Sequence, residues 1–360
     1  MSTVAKAIDT AERLPLPDSV LRAGVNALVA RTSRELRGHA PDLAERFAQD
    51  MDGRPIATET DDANRQHYEI PPEFFATFLG ARRKYSCCYF DGAATTLDEA
   101  EVRALALTES NADCRPGQEI LELGCGWGSL TLWLAERLPT ARIHAVSNSA
   151  SQCAHIREQA AARGLSNVRL TTADMNTFTP AERYDRIVSV EMFEHMANWR
   201  ALLERAMGWL KPDGRLFIHV FSHRSAPYRF DHTDPADWIA RHFFAGGIMP
   251  SDDLVRHFDD LAEVEASWRW NGIHYARTAR HWLRHFDDNR ATLTPILRGV
   301  YGAEAEVWRR RWRLFFIATE GLFGFGDGAE WGVSHYRLKA PGAAAAPYSS
   351  TRIAASEPNQ

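Results

Sequence analysis

The sequence predicts an α/β fold built on a mainly parallel sheet, and two observations lead to this prediction. From residue 119 onward, apolar runs of strand length alternate with stretches of helical period, which is the order of elements in βαβ units. The first of these strands ends in the glycine-rich stretch "LELGCGWGS". Such a turn between a strand and a helix is typical of a ligand-binding sheet edge.

The first part of the chain predicts helices and little β structure. Residues 1–63 are interpreted as a helical extension, with amphipathic pieces such as "DSVLRAGVNALVA" followed by the polar stretch "DGRPIATETDDANRQ". The segment "HYEIPPEFFATFLG" predicts a helix that begins at its proline pair. A further helix is predicted near "TTLDEAEVRALAL", where Thr96 and Glu99 have the spacing of a capping box.

The strands and helices of the sheet region follow in order. Two helical patterns, "SLTLWLAERL" and "SASQCAHIREQAAARG", lie between runs that are mostly β-branched or aromatic. These runs predict five strands: "EILELG", "RIHAVS", "VRLTTAD", "DRIVSVE" and "GRLFIHVF". Two late strands, "EVEASWRW" and "EWGVSHYRL", are expected to complete the sheet, with mostly helical sequence between them. The tail 341–360 is small, polar and contains proline, so it is predicted to be disordered.

Composition and charge argue against several classes of protein. The 42 Lys and Arg residues against 47 Asp and Glu residues give a net charge of −5, so no basic field attracts nucleic acid. The N-terminus lacks a signal-peptide pattern, and no apolar run approaches the roughly 20 residues that span a bilayer. We therefore expect a cytoplasmic protein without a transmembrane segment. The 5 cysteines include no CxxC pair, which argues against a disulfide framework and a structural zinc site.

The glycine turn predicts a binding site for a small ligand. Gly124, Gly126 and Gly128 lie where the first strand passes into a helix, and glycines there let the backbone approach a ligand closely. The spacing is GxGxG with Glu122 before it, whereas Ser129 stands where the dinucleotide pattern requires a glycine. A tight turn without a ligand is the alternative interpretation. A nicotinamide-binding domain is disfavoured because no acid ends the second strand.

The next two strands offer groups for a ribose and an adenine. After the second strand, Asn148 and Gln152 are neutral side chains that can hydrogen-bond ribose hydroxyls. After the third strand, Asp174 can accept a hydrogen bond from the adenine amino group. A helix N-cap is an equally good interpretation of the Asp174 side chain alone.

The stretch "SVEMFEHMAN" places three titratable side chains after the fourth strand. On a helix, Glu191 would share a face with Glu194 at i, i+3 and with His195 at i, i+4. Alone, such a pattern is more typical of a polar helix start, where acids favour the N-terminus. Behind the fourth strand of a sheet that carries the glycine turn, a catalytic acid/base site becomes the better interpretation.

Several motifs occur in a consistent order along the chain: "YSCCYF", "GCGWGS", "EMFEHM", "RHFFAGGIMPS" and "NGIHYARTARHWL". Together they resemble the coclaurine N-methyltransferase-like branch of the cyclopropane fatty acid synthase family, over about residues 64 to 338. This family uses S-adenosylmethionine (SAM). The resemblance implies a class I SAM-dependent methyltransferase domain over residues 64–340, Rossmann-like with a mainly parallel seven-stranded sheet. It also implies a cap around residues 223–330.

The resemblance also implies roles for individual residues. In the N-methylating relatives, the residues that match Glu194 and His195 handle the amine, and the one that matches Glu191 orients it. The expected cofactor is SAM, with its methionine part over the glycine turn. The expected cofactor-binding residues are Tyr85, Ser86, Glu122, Gly124, Gly126, Gly128, Asn148, Gln152, Asp174 and Met175, and the expected substrate-binding residues are Phe193, His219, Tyr275 and Trp331.

A second chemistry stays open at this point. In relatives that cyclopropanate or methylate lipid double bonds, a bicarbonate ion is the base. Phe221 departs from those relatives, which usually carry a smaller aliphatic residue there, and the surrounding "HVFSH" is more similar to the amine branch. The ligands of that bicarbonate match residues that are all present in this chain: Cys87, Glu194, His219 and Tyr275.

We therefore expect a SAM-dependent N-methyltransferase that acts on a small hydrophobic or aromatic amine. An alkylamine is mostly protonated at neutral pH, so a carboxylate (Glu194 or Glu191) would attract it and a base (His195) would remove its proton. The alternatives are a lipid methyl or methylene transferase that uses bicarbonate, and a SAM-binding scaffold or sensor. The expected partner is the small substrate, without nucleic acid or metal, and a homodimer is left open.

Overall fold

A seven-stranded sheet organises the part of the chain that the computed structural model describes, residues 3–58, 70–90, 92, 96–234 and 237–343. Its strands, in the order in which they pair, are β3 (Val168–Thr172), β2 (Arg142–Ser147), β1 (Glu119–Leu123), β4 (Tyr184–Val190), β5 (Leu210–His223), β9 (Trp331–Lys339) and β8 (Glu263–Asn271). A separate ribbon pairs β6 (Tyr228–Arg229) with β7 (Ile248–Met249).

The pairing directions divide the sheet into two parts. Strands β1 to β5 pair with one another in parallel, so crossover connections join them. Strand β9 is antiparallel to both β5 and β8. The predicted α/β fold with a mainly parallel seven-stranded sheet is confirmed, and the two late strands complete the sheet as expected.

Helices cover both faces of the sheet, and two of their predicted starts are confirmed. One helix begins at the proline pair, and Thr96 caps another in a reciprocal capping box with Glu99. Among the described helices, none is long and apolar enough to cross a bilayer. The helices are α1 (Thr3–Arg13), α2 (Asp18–Leu36), α3 (Leu43–Asp50), α4 (Pro72–Ala76), α5 (Leu97–Asn111), α6 (Ser129–Arg137), α7 (Ala150–Ala162), α8 (Trp199–Gly208), α9 (Trp238–His242), α10 (Ile273–Asp288), α11 (Arg290–Tyr301) and α12 (Ala305–Gly324).

The ends of the chain carry two of the predicted boundaries. Helices α1 to α3 lie within residues 1–63, the range predicted as a helical extension. The boundary at residue 63 lies outside the described residues, as does the predicted disordered tail 341–360 from residue 344 onward. The division into an extension, a catalytic domain and a cap therefore stays a prediction.

The segment around residues 223–330 contributes an aromatic layer above the sheet. Helix α10 packs along α12, which α2 covers from the outside. Their rings meet those of α4, for example Phe74 against Trp312 at a centroid distance of 4.9 Å. Phe243 joins the same cluster at 5.0 Å from Trp312. Burial of each large apolar side chain adds about 1.5–3 kcal/mol, so this aromatic layer is a core of its own that stabilises the packing of α4, α10 and α12.

A buried acid fixes the loop that leads from α4 into the site. The carboxylate of Glu101, on α5, accepts backbone N–H groups of Gly80, Arg82 and Lys84 at 2.7 to 3.1 Å. Burial raises the pKa of Glu101 to about 7, although these N–H groups oppose the shift. The loop is thereby held in one conformation, and the residues after it reach the carboxyl edge of the sheet.

Candidate active site

A cavity opens at the carboxyl edge of β1, β2 and β4, where the turns after these strands meet the 83–86 segment. This is the edge at which open α/β sheets bind ligands. Lys84, Trp127 and Met192 also line it. The residues predicted from the sequence that line this cavity are Tyr85, Ser86, Glu122, Gly124, Gly126, Asn148, Gln152, Asp174, Met175, Glu191 and His195.

Two glycines of the turn have different reasons to be glycine. Gly126 has φ +51°, and a Cβ at this position would meet no atom of the described residues within 4 Å. Gly126 also lines the cavity, so its backbone is open to a ligand on that side. Gly128 has φ +80°, and a Cβ there would lie 2.6 Å from the side chain of Ile156. Gly128 serves the packing of α6 against α7 and does not line the cavity, in contrast to its predicted contact with the cofactor.

Glu122 is a buried acid beside the glycine turn. It is 3% exposed, and the hydroxyl of Thr131 donates to its Oε2 at 2.6 Å. Burial raises the pKa of Glu122 to about 8, and the Thr131 hydrogen bond opposes only part of that shift. A cation that binds beside this carboxyl group would favour its ionised form.

Neutral and acidic side chains lie after β2 and β3, as predicted. Asn148 is exposed at the rim, whereas Gln152 is buried and accepts the hydroxyl of Ser147 at 2.7 Å. Asp174 accepts the backbone N–H of Asn176 at 2.7 Å in a turn. No helix begins at Asp174 in this described segment, so its interpretation as a helix N-cap is wrong.

Glu191 does not stand on a helix, and the predicted i, i+4 face is wrong. Strand β4 ends at Val190, Glu191 has φ +47°, and a single turn of 3₁₀-helix spans Phe193–His195. A non-glycine residue in this left-handed region costs on the order of 1–3 kcal/mol, and such strain clusters at functional sites. The reversed backbone at Glu191 lets its carboxylate reach groups from three other parts of the chain.

The carboxylate of Glu191 is surrounded by hydrogen-bonding groups. Its Oε1 accepts the backbone N–H of Cys87 at 2.8 Å and lies 3.3 Å from Nε2 of His219. Its Oε2 accepts the hydroxyl of Tyr275 at 2.7 Å. Burial raises the pKa of Glu191, and the charge of Lys84 is the largest influence that opposes this rise. The hydrogen bonds from Cys87 and Tyr275 also favour the carboxylate.

Two buried histidines continue the contacts of Glu191 into the core. Nδ1 of His219 lies 2.9 Å from Nε2 of His335, which is on β9. Burial holds the pKa of both imidazoles well below the ordinary value, so both are neutral. Each contact has one donor and one acceptor if Nε2 of His335 donates to Nδ1 of His219 and Nε2 of His219 donates to Glu191. His335 thus fixes the tautomer that presents an N–H to the carboxylate.

Glu194 has the opposite environment to Glu191. It is fully buried, and no described group lies in good hydrogen-bond geometry with either of its carboxyl oxygens. Burial and then the nearby charge of Glu191 raise the pKa of Glu194 well above its ordinary value, and the backbone N–H groups of Glu194 and Phe221 oppose only part of this. The two acids are coupled, and their surroundings favour the negative charge on Glu191 and the proton on Glu194.

A cluster of aromatic rings packs against His195, which lines the cavity. The ring of Phe244 lies 4.4 Å from that of His195, centroid to centroid. Phe244 also contacts Phe221 at 5.5 Å and Phe230 at 4.9 Å. The sequence reasoning missed Phe244, although "RHFFAGGIMPS" was among the motifs, because a loop pattern does not say which of two adjacent rings faces a site.

The predicted substrate-binding residues divide into two groups. His219 and Tyr275 contact Glu191, as described above. The structure places Phe193 in the core against Trp199, at 5.4 Å, rather than at the cavity. Trp331 is also fully buried, and its Nε1 donates to the hydroxyl of Tyr228 at 3.3 Å. Both rings face away from the cavity because side chains alternate or rotate along their elements, which residue type alone does not reveal.

Comparison with known proteins gives a family and several relatives. Residues 57–327 match the family model described as mycolic acid cyclopropane synthetase. The chain is 38% identical over 289 residues to (S)-coclaurine N-methyltransferase of Thalictrum flavum subsp. glaucum, which covers 79% of this chain and 80% of the relative. It is 33% identical over 307 residues to pavine N-methyltransferase of the same plant, with 84% and 86% covered. A crystal structure of coclaurine N-methyltransferase bound to N-methylheliamine and SAH has a TM-score of 0.89 at 34% identity, with 94% of this chain and 100% of that chain covered.

Proposed function

The chain belongs to the mycolic acid cyclopropane synthetase family, and we propose that it transfers a methyl group from SAM to the nitrogen of a small hydrophobic or aromatic amine. The relatives confirm the branch that the motifs indicated, since they are N-methyltransferases that match most of the chain. The protein is thus a SAM-dependent methyltransferase. One observation carries the choice of an amine: the buried carboxylate of Glu191 at the centre of the site.

Two features of the cavity fit SAM. The backbone of Gly126 lines the cavity with no described atom in front of it, and Glu122 is a buried acid, protonated near neutral pH, whose ionised form a bound cation would favour. When bound, SAM supplies a methyl group on a sulfonium that is already activated for transfer. We assign the methionine part to Glu122 and the glycine turn, the ribose to Asn148 and Gln152, and the adenine to Asp174 and Met175.

Glu191 is suited to attract and orient a protonated amine. Burial raises its pKa, and the charge of Lys84 and the hydrogen bonds of Cys87 and Tyr275 oppose this rise and favour the ionised form. A cation gains more from such a carboxylate in a water-poor site than in bulk water. These bonds also hold the carboxylate in one position, so an amine bound to it would be aligned for an in-line transfer.

His195 is the residue that we assign as the base. It lines the cavity beside Glu191, and the ring of Phe244 restricts its orientation. An imidazole can accept a proton near neutral pH, and the amine needs a free lone pair before it attacks a methyl group. Burial raises the pKa of Glu194 well above its ordinary value, which favours the negative charge of the pair on Glu191.

The geometry at Glu191 argues against a bicarbonate-dependent lipid reaction. Three of the four residues that match bicarbonate ligands in the lipid-modifying relatives are Cys87, His219 and Tyr275. Here they contact the carboxylate of Glu191, with Cys87 contributing its backbone N–H. A carboxylate that is part of the chain thus holds the hydrogen bonds that a bound anion would need.

The proposal is tested by measuring S-adenosylhomocysteine release from the purified protein. One panel contains secondary and tertiary aromatic amines, and the other contains phospholipid vesicles, each with and without added bicarbonate. We expect release with a subset of the amines, none above background with the vesicles, and no dependence on bicarbonate. Release with vesicles that requires bicarbonate would establish the lipid reaction instead. SAM binding without release on either panel would establish a binding protein.

A further inference from the structure

Lys84 is a buried cation whose hydrogen-bond partners among the described residues are neutral. It is 2% exposed, and its Nζ donates to Oγ of Ser86 at 2.5 Å and to the carbonyl oxygen of Cys87 at 2.6 Å. The buried arginines Arg186 and Arg215, in contrast, each pair directly with a carboxylate. Because a buried charge is costly without compensation, the ammonium of Lys84 needs a counter-charge beyond its immediate contacts.

The counter-charge lies on the other side of Cys87. The carbonyl of Cys87 binds the ammonium of Lys84, and the N–H of Cys87 binds the carboxylate of Glu191. The ammonium and the carboxylate therefore bind opposite backbone groups of the same residue. Glu101 is the other acid near Lys84, but its carboxylate is occupied by backbone N–H groups, including that of Lys84 at 3.1 Å.

The electrostatics of the buried cluster agree with this geometry. After burial, which raises the pKa of Glu191, the charge of Lys84 is the largest influence that lowers it. Burial lowers the pKa of His219 and of His335, and the charge of Lys84 lowers both further. This charge therefore helps to keep both imidazoles neutral. His195 and Tyr275 also face Glu191 and favour its charge, and Glu194 shares its proton.

We propose that Lys84 is a positioning residue of the methyl transfer: its ammonium fixes the 84–87 segment against Glu191 and is the counter-charge of the Glu191 carboxylate. The expected effect of Lys84 on turnover rests on the proposed function, whereas its expected effect on the pKa of Glu191 does not. Lys84 also lines the cavity, so a direct contact with the cofactor is the competing role. The two roles differ in what the loss of the charge would change.

The test compares the pH dependence of kcat for the wild type, Lys84→Met and Lys84→Arg at saturating SAM and amine. Without the ammonium the pKa of Glu191 rises, so a higher pH is needed to ionise it. We expect the acid limb of kcat to move upward by about one pH unit in Lys84→Met, with KM for SAM within threefold of wild type. Lys84→Arg keeps the charge, so its acid limb is expected at the wild-type position even if kcat falls.

Lys211→Met is the matched control. Lys211 lies near the start of β5 and pairs with Asp185, so its loss removes a positive charge without touching the site and should leave the limb unchanged. An unchanged limb in Lys84→Met would overturn the proposal. A large rise in KM for SAM with an unchanged limb would assign Lys84 to the cofactor instead. If Lys84→Met does not fold, Lys84→Gln removes the charge but keeps a donor for Ser86 and Cys87.

A measurement without substrate separates this proposal from the proposed function. The infrared band of the protonated Glu191 carboxyl, identified by its loss in Glu191→Gln, is followed against pH in free wild type and in Lys84→Met. We expect the band to persist to higher pH in Lys84→Met. If the band disappears at the same pH in both proteins, the role of Lys84 is refuted even if the wild type methylates amines. A shifted titration would support it even if no amine is methylated.

Discussion

The two halves of the cavity are built in different ways. The half that we assign to the cofactor, the cofactor half, consists of short segments that directly follow β1, β2 and β3, and its central feature is the backbone of Gly126. The half that we assign to the methyl acceptor, the acceptor half, centres on the side chain of Glu191, which contacts Cys87 before α5, His219 on β5 and Tyr275 on α10. The first half is local in sequence, whereas the second exists only when distant parts of the chain have packed.

This difference between the two halves indicates which of them can change its residues without losing the other's function. A turn that presents backbone to a ligand accepts few substitutions, because positive φ and close approach both demand glycine. In the acceptor half, the charge on Glu191 depends on several neighbours that could each change without disturbing the turn. Changes in the two halves should therefore separate cofactor binding from turnover.

The largest effect on cofactor binding is expected for Gly126→Val, which acts on the cofactor half alone. A β-branched side chain at φ +51° is strained, and it would fill the open space in front of the turn. We expect SAM affinity to fall at least about 100-fold, or about 2.7 kcal/mol, measured by calorimetry. Gly164→Val is the control, because Gly164 has φ +66° and open space but lies away from the cavity. Wild-type affinity in Gly126→Val would contradict the assigned cofactor site.

His195→Ala should affect the acceptor half alone. Without its base the amine keeps its proton, so kcat is expected to fall about 100- to 1,000-fold, while calorimetric SAM affinity stays within threefold of wild type. His232→Ala, at an exposed position, controls for the loss of any histidine. Unchanged turnover in His195→Ala at neutral pH would remove His195 from the role of base.

Glu191→Ala tests whether the carboxylate occupies an anion site. The change leaves the N–H of Cys87 and the hydroxyl of Tyr275 unpaired around a space of carboxylate size. We expect kcat to fall about 100-fold and added formate to restore part of it. Glu191→Gln fills the space and should not respond to formate. If wild-type activity itself increases with bicarbonate, the carboxylate of Glu191 does not replace that ion.

Much of the fold and of the cofactor half was predictable, for a physical reason. The period of the apolar residues and the content of β-branched residues follow from which side chains are buried. The stretch "LELGCGWGS" must be glycine-rich because its backbone has positive φ at three positions. The acceptor half was predicted by residue type but not by geometry. Nothing in "SVEMFEHMAN" indicates that Glu191 takes a left-handed conformation, so a helix face was expected. The role of Cys87 could not be read from its thiol, because its backbone N–H makes the contact.

A smaller effect is expected in the cofactor half, at Glu122. Its carboxyl has a pKa of about 8 in the free protein, so below that pH it must lose a proton to compensate the cation of SAM. We expect SAM affinity to fall by up to about tenfold for each pH unit below 8. Glu122→Gln should remove this dependence and leave only the titration of the SAM amino group, which both proteins share. Equal pH slopes in calorimetry would show that Glu122 stays protonated in the complex.

The smallest effect is expected for Phe244→Ala, at the rim of the acceptor half. Its ring contacts His195 and forms the wall nearest to the assigned base, so an aromatic amine would lose one apolar contact and its cation one aromatic face. Such contacts contribute about 0.5–1.5 kcal/mol, which corresponds to a rise in KM for the amine of roughly 2- to 13-fold. Phe325→Ala removes a ring that packs on Trp331 instead and should leave that KM unchanged. If Phe244→Ala lowers kcat with KM unchanged, the ring orients His195 rather than the substrate, and the wall belongs to the catalytic geometry of this half.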